Sequence, residues 1–145
     1  MSLVLGALAG CLGESRDTAN LAVSNAVQYQ GPTCSCCDRY GSYLNRHLIT
    51  SLETVETNDL SGVKREHGVH PDLWSCHTVD LDGFIVEGHV PVGVIEEALD
   101  SRGTIDGIAL PGMPVGSPGM GGVQLRSWEI FAIDSDGSYT HHTDR

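Results

Sequence analysis

The stretch that decides the fold runs Ala26-Val27-Gln28-Tyr29, then Gln30-Gly31-Pro32-Thr33, then Cys34-Ser35-Cys36-Cys37-Asp38-Arg39-Tyr40. The first four residues read as a short strand, and the Gly-Pro pair as the loop that ends it. Thr33 or Ser35 is placed to cap a helix, and apolar residues at 40, 43/44 and 47/48 keep the spacing of one helical face. The cysteine cluster is therefore expected at the N-terminus of a helix that directly follows a strand. Unsatisfied N–H groups and the positive dipole end favour thiolates there.

Working outward, Thr54-Val55-Glu56-Thr57 predicts a strand, and Asn58/Asp59 opens a short helix from Leu60 to Glu66. Gly68-Val69-His70-Pro71 is a loop. Leu73 to Asp80 predicts a strand, Asp82-Gly83 a tight turn, and Phe84 to His89 its antiparallel partner. Pro91 starts a helix carrying Val94, Ile95, Ala98 and Leu99, ending near Gly103. Gly107 to Gly122 is Gly- and Pro-rich and reads as loop. Trp128–Ile133 and Tyr139–His142 predict a last hairpin about Asp136-Gly137. The order β-α-β-α-β-β-α with an added C-terminal β-hairpin is that of an α/β, thioredoxin-like domain, expected over residues 25–145.

Composition bounds the partners. The 145 residues carry a net charge of −11, with 19 Asp and Glu against 8 Lys and Arg. Such a balance opposes binding to nucleic acid, whose phosphates need a basic surface. A single lysine, Lys64, and scattered carboxylates suit a halophilic source, where salt screens self-repulsion. No apolar run reaches the roughly 18 residues of a membrane-spanning helix. Residues 3–10 are apolar and small, and Leu8-Ala9-Gly10-Cys11 resembles the lipobox of prokaryotic lipoproteins. That reading makes residues 1–11 a leader ending at a lipidated Cys11 and residues 12–24 a flexible tether. Contact with the membrane is then through the lipid alone, on the extracytoplasmic side. The rival reading is an apolar N-terminal helix with a buried Cys.

The chemistry lies in the sulfur. Cys34 and Cys37 form a C-x-x-C pair on one face of a helical turn. Cys36 is rotated by about 100° from its neighbour and points elsewhere unless it sits at the cap. One disulfide with a spare thiol, a redox C-x-x-C pair and a soft-metal site are all open on this spacing. Three sulfurs in four residues favour the metal, because thiolates suit soft ions. Cys76, in Ser75-Cys76-His77-Thr78, is a fourth candidate ligand. On the predicted strand it faces opposite to His77. Pro-Gly-Met occurs twice, at Pro111-Gly112-Met113 and Pro118-Gly119-Met120, and methionine is unusual in such turns. Thioethers at Met113 and Met120 beside thiolates select Cu(I) over Zn(II). Zinc on four cysteines leaves both Pro-Gly-Met turns unexplained. His89 is a candidate ligand or a donor behind one, with His77 slightly behind it. His67 and His70 are expected to be exposed. The terminal pair His141-His142 is expected to be solvated, with at most adventitious Cu(II) or Ni(II) binding.

Four ordered blocks together resemble one family. They are Cys34-x-Cys36-Cys37; Leu73-x-Ser75-Cys76-His77-Thr78; Gly83-Phe84-x-x-Glu87-Gly88-His89-Val90-Pro91; and the segment from Gly107 through Met113 to Met120. That family is the CopG-type extracytoplasmic copper-resistance proteins, long a metal-binding domain of unknown function. The likeness covers about residues 25–135. His70 stands where the family usually has Pro, and Tyr40 where Trp is common. The resemblance implies a thioredoxin-like fold and a copper site on the cysteine cluster.

The reading that follows is a copper-binding protein that holds Cu(I) at Cys34, Cys36, Cys37 and Cys76 as a multinuclear thiolate cluster. Met113, Met120 and His89 shield or complete the site. The helix dipole and mutual proximity are expected to lower the thiol pKa values. Electrons from a Cys34–Cys37 pair going to a disulfide would couple the site to Cu(I)/Cu(II) chemistry, so an enzymatic role stays open. Partners are copper ions and copper-handling or redox proteins. The alternatives are a thiol–disulfide oxidoreductase using Cys34 and Cys37, and a passive copper metallochaperone.

Overall fold

A computed structural model of the chain describes residues 18–145. The leader and the lipidation site at Cys11 lie outside the described residues. Ten elements follow in chain order: β1 (Ala26–Gln30), α1 (Ser35–Asn45), β2 (Glu53–Glu56), α2 (Leu60–Glu66), β3 (His77–Leu81), β4 (Phe84–Glu87), α3 (Val92–Leu99), β5 (Gly107–Ala109), β6 (Glu129–Ile133) and β7 (Tyr139–Asp144). The strands form one seven-stranded mixed sheet in the order β2-β1-β3-β4-β5-β6-β7. β1 runs parallel to β2 and antiparallel to β3, and β4 runs antiparallel to β3 and parallel to β5. The α/β class and the expected run β-α-β-α-β-β-α are both present.

Side-chain alternation along β3 and β4 divides the interior. Val79, Leu81, Phe84 and Val86 join Tyr40 and Leu44 of α1 and Ile95 and Ala98 of α3 in the larger apolar cluster. Ile85 joins Val69, Leu73, Ala109 and Ile133 in the smaller one on the opposite face. The buried residues of α1 are Cys37, Tyr40, Gly41 and Leu44, one stripe at helical spacing that carries a cysteine into the core.

Four expectations are corrected. The tether over 12–24 does not extend to its described end. Ala19, Leu21 and Val23 are buried while Asn20, Ala22 and Ser24 are exposed, and Leu21 N donates to His47 O at 2.7 Å. That period-two pattern marks an extended edge segment, and its docking explains why α1 stops at Asn45 instead of reaching residue 48. The strand expected from Leu73 begins at His77, because Pro71 starts a single 3-10 turn over Pro71–Leu73 and the His70 ring accepts from Asp72 N. The loop expected from Gly107 opens with β5 inside the sheet. Three residues are too few to show a period, and a Cβ at Gly107 would lie 2.2 Å from Ile85 O, so glycine is what lets β5 pair there. His67, expected to be exposed, is half-buried with its ring 5.1 Å from that of Tyr29. Among the described residues no helix is long and apolar enough to cross a membrane.

Candidate metal centre

The first turn of α1 delivers three of the sulfurs. Neither Thr33 nor Ser35 caps the helix; the N-cap is Cys34, with no side-chain cap bond, and Asp38 N donates to its carbonyl at 3.1 Å. Cys34 and Cys37 are joined in a disulfide, and Cys36 and Cys76 are free thiols. Cys36 does not point away from the pair. Its Sγ lies 3.5 Å from that of Cys34 and 3.8 Å from that of Cys76. The reason is that Cys34 is the N-cap, with an extended backbone (φ −94°, ψ 91°), so the helical rotation per residue does not set its direction relative to Cys36. All four Sγ atoms lie within 4.8 Å of one another.

Cys76 precedes β3, so strand alternation does not separate it from His77. Its Sγ is 3.3 Å from His77 Nδ1 and 2.9 Å from His89 Nε2. Both histidines are buried, and His77 stacks on Tyr40 with ring centroids 4.5 Å apart. His77 Nε2 lies 3.0 Å from Gly88 O, and His89 Nδ1 lies 2.6 Å from Pro118 O. A carbonyl oxygen accepts only, so each of these nitrogens carries the ring proton.

Electrostatics keeps this cluster neutral. Burial, helped by His89 and Lys64, holds His77 well below the usual histidine range. Burial also lowers His89, against its bond to the Pro118 carbonyl, with Arg39 adding to the lowering. The expected lowering of thiol pKa fails for Cys76, which is pushed up to about 12 by burial and by the neighbouring Cys36. Cys76 is not on the helix, and a second ionisable thiol close by opposes its ionisation. Filling the site with a cation therefore requires the metal to displace the Cys76 proton.

Backbone bracing explains why Cys76 stands where it does. Glu87, at the end of β4, accepts from Ser75 N at 2.9 Å, from Thr78 Oγ1 at 2.5 Å and from Lys64 Nζ at 2.6 Å. Lys64, the chain's one lysine, is buried and also donates to Thr78 Oγ1 at 3.0 Å. These residues were missed as parts of the site. A lone lysine in an acidic chain, and a glutamate ending the apolar strand Phe84-Ile85-Val86, were the available signals.

The Gly/Pro loop lies against the cluster. Ser75 Oγ donates to Gly112 O, and Arg39 Nε to Gly119 O at 2.9 Å. Gly119 has a φ of +84°, and a Cβ there would be 2.9 Å from Tyr40 N, so the loop touches the first turns of α1 backbone to backbone. Met120, half-buried, follows that contact directly. Met113 is 50% exposed and lines a depression with Leu125, Arg126 and Trp128 that includes none of the four cysteines. Of the sulfur and nitrogen candidates, Cys34, Cys36, Cys37, Cys76 and His89 are thus brought together, with His77 added. His141 is exposed and 2.8 Å from Asp144, on the edge strand β7, separated from β3 by β4, β5 and β6.

Comparison with known proteins adds the relatives. A family described as "Protein of unknown function, DUF411" matches residues 73–120. A solved structure named "Copper resistance protein copG- Form 1" is 31% identical, covering 85% of this chain and 98% of that one, with a TM-score of 0.75. Its companion, "Form 2", is also 31% identical, covering 86% and 99%, with a TM-score of 0.76. No curated protein sequence matches.

Proposed function

We propose, from the premise that this chain belongs to the CopG-type copper-resistance family, that it is an extracytoplasmic copper-binding protein that takes up Cu(I) on a thiolate cluster. The observation that carries the reading is the meeting of Cys34, Cys36, Cys37 and Cys76 with all four sulfurs within 4.8 Å. Four convergent thiolates bridge soft monovalent ions and share the charge among several of them. The β2-β1-β3-β4 half, with α1 entering directly after β1, is read here as a thioredoxin-like core that presents the cluster at a helix N-terminus. Cys11, in its lipobox-like context, is proposed as the anchor that holds the domain at the membrane.

The Cys34–Cys37 disulfide favours a redox component. In the balanced step the two thiolates lose one electron each and form the S–S bond, and two Cu(II) ions become two Cu(I). The cluster thus links copper oxidation state to the number of sulfurs free to bind it. The same disulfide supports the second reading, a thiol–disulfide oxidoreductase acting on protein partners without copper.

Anaerobic titration of the reduced protein with Cu(I) tests the proposal. Several coppers per chain with loss of all four thiols is the expected result, and Cys36→Ser and Cys76→Ser each lower the capacity. Unchanged stoichiometry and affinity in both variants would retire the cluster. Turnover of a dithiol substrate without copper would favour the oxidoreductase.

A further inference from the structure

Between α1 and the β1–β2 pair lies a crevice that is polar where a helix–sheet contact is normally apolar. It holds about 310 Å3, and Gln28, Gln30, Asp38, Gly41, Ser42 and Thr54 line it. Gln28 is fully buried there. Its Nε2 donates to Gln30 Oε1 and to the Cys37 carbonyl, both at 2.8 Å. Gln30 Nε2 donates in turn to Asp38 Oδ1 at 2.7 Å. The chain of bonds ends on a carbonyl and a carboxylate, which only accept, so neither amide can be turned over. Gln28 Oε1 is therefore an acceptor by necessity, and no donor of the described residues reaches it. A buried acceptor without a donor destabilises the fold unless something outside the chain supplies one. Gly41 keeps the space over this amide open. It lies inside α1, where alanine is the better helix former, and no left-handed φ calls for glycine. A methyl there would stand 3.3 Å from Gln28 Nε2 and 3.5 Å from Gln28 Oε1.

We infer that this crevice binds a guanidinium group, with N–H donors on Gln28 Oε1 and positive charge beside the Asp38 carboxylate. The crevice is far larger than one water fills. A planar fork of five N–H groups reaches several acceptors at once, and guanidinium is the more weakly hydrated of the two side-chain cations, which suits a half-enclosed site. Ser42 and Thr54 add hydroxyls that accept. The net charge of −11 draws cations to the surface. Two sources carry this group, a free guanidinium compound and an arginine of a partner polypeptide. The sheet edge favours the second. β2 is an outer strand, and Thr57 N donates inward to Gln30 O at 2.9 Å. Alternation then turns the backbone N–H and C=O of Thr54 and Glu56 outward, where an extended segment can add as a further strand. The Thr54 side chain lines the crevice, so a residue of the added strand beside it faces the same opening. This inference stands apart from the copper reading and does not rest on it.

The test titrates the full-length protein with N-acetyl-arginine amide and follows the Gln28 side-chain amide by 15N–1H NMR. A saturable shift is expected, with N-acetyl-lysine amide and the uncharged N-acetyl-citrulline amide each weaker by at least about tenfold. Asp38→Asn, at an exposed residue, keeps an oxygen for Gln30 and should weaken arginine amide by at least about tenfold. Gly41→Ala should abolish the Gln28 shift while leaving the helical circular dichroism unchanged. If that variant fails to fold, Asp38→Asn and the two control ligands carry the test. An acetylated threonine-arginine-threonine amide then separates the sources. Binding at least about tenfold tighter than arginine amide, with shifts at the Thr54 and Glu56 N–H groups, assigns the site to a polypeptide arginine. Equal affinity overturns the polypeptide source and leaves a site for a free guanidinium compound. No saturable shift overturns the site. So does equal binding of the arginine and lysine probes that salt removes, since that is attraction to an acidic surface alone.

Discussion

Two buried polar clusters flank the same end of β3 and β4, on opposite faces of the sheet. On the α2 side, Lys64, Thr78 and Glu87 are mutually satisfied: every polar atom found there has a partner, and Glu87 alone accepts three bonds. On the α1 side, Cys76, His77 and His89 converge with more acceptors than protons. The first cluster is fully buried, whereas the second is buried at its two histidines and half-buried at Cys76, and the two differ in whether the protein itself completes them. A completed buried pair is structure, whereas an incomplete one is a receptor for what is missing. The first cluster holds the second in place, since Glu87 fixes Ser75 N one residue before Cys76.

The sharpest way to break the contrast is Lys64→Met. It strands the Glu87 carboxylate in the core, and a loss of about 3–5 kcal/mol is expected in denaturant unfolding. Lys64→Met with Glu87→Gln should recover most of that loss, because the glutamine oxygen still accepts from Ser75 N. No recovery would mean that Lys64 supports the fold by packing and not by charge.

Next in size is Gly119→Ala, which forces a Cβ to within 2.9 Å of Tyr40 N at a left-handed φ. A loss of about 1–3 kcal/mol is expected, together with weaker metal uptake as the loop lifts from α1. Stability without uptake loss would detach the loop from the site.

The pH dependence follows from the histidines. Both have folded pKa values below their ordinary 6.5, so the unfolded chain binds the extra protons as pH falls. The contribution of the neutral rings is therefore complete above about pH 6.5 and is lost progressively below it. Thermal midpoints of the metal-free protein from pH 8 to 5 should fall on the acid side, and His77→Phe should flatten the slope. A flat profile in the unsubstituted protein would contradict neutral burial of both rings.

The smallest stability effect is expected at Cys76→Ser, about 1 kcal/mol or less for the metal-free protein. The same change should cause the largest loss of metal. That inversion relative to Lys64→Met is the signature that separates the receptor cluster from the structural one.

Much of the fold was legible because its signals are local. The 40, 43/44 spacing, Asp59 before Leu60, Pro91 before α3 and Asp136-Gly137 each announce an element within a few residues. The edge segment at 19–23 was also legible, through its strict alternation, but its polar company suggested a tether. β5 was not, because three residues following Gly107 carry no period and acquire their strand character from β4 and β6. At the site, the four cysteines could be named from their types and spacing. Their convergence could not, since helical geometry alone turns Cys36 away and strand geometry alone turns Cys76 from His77.

The sequence by itself determined the donor inventory: soft sulfur in one dense cluster, a later cysteine with one histidine beside it and another 13 residues on, one lysine and an acidic balance that opposes nucleic acid. The tertiary structure decided which donors meet and in what protonation state. It set Cys76 at the end of α1, turned the protonated nitrogens of His77 and His89 toward Gly88 and Pro118, and placed Lys64 against Glu87. Those outcomes depend on contacts between residues 11 to 40 positions apart in the chain. Such contacts are fixed by packing a whole sheet between helices, and no local pattern encodes them.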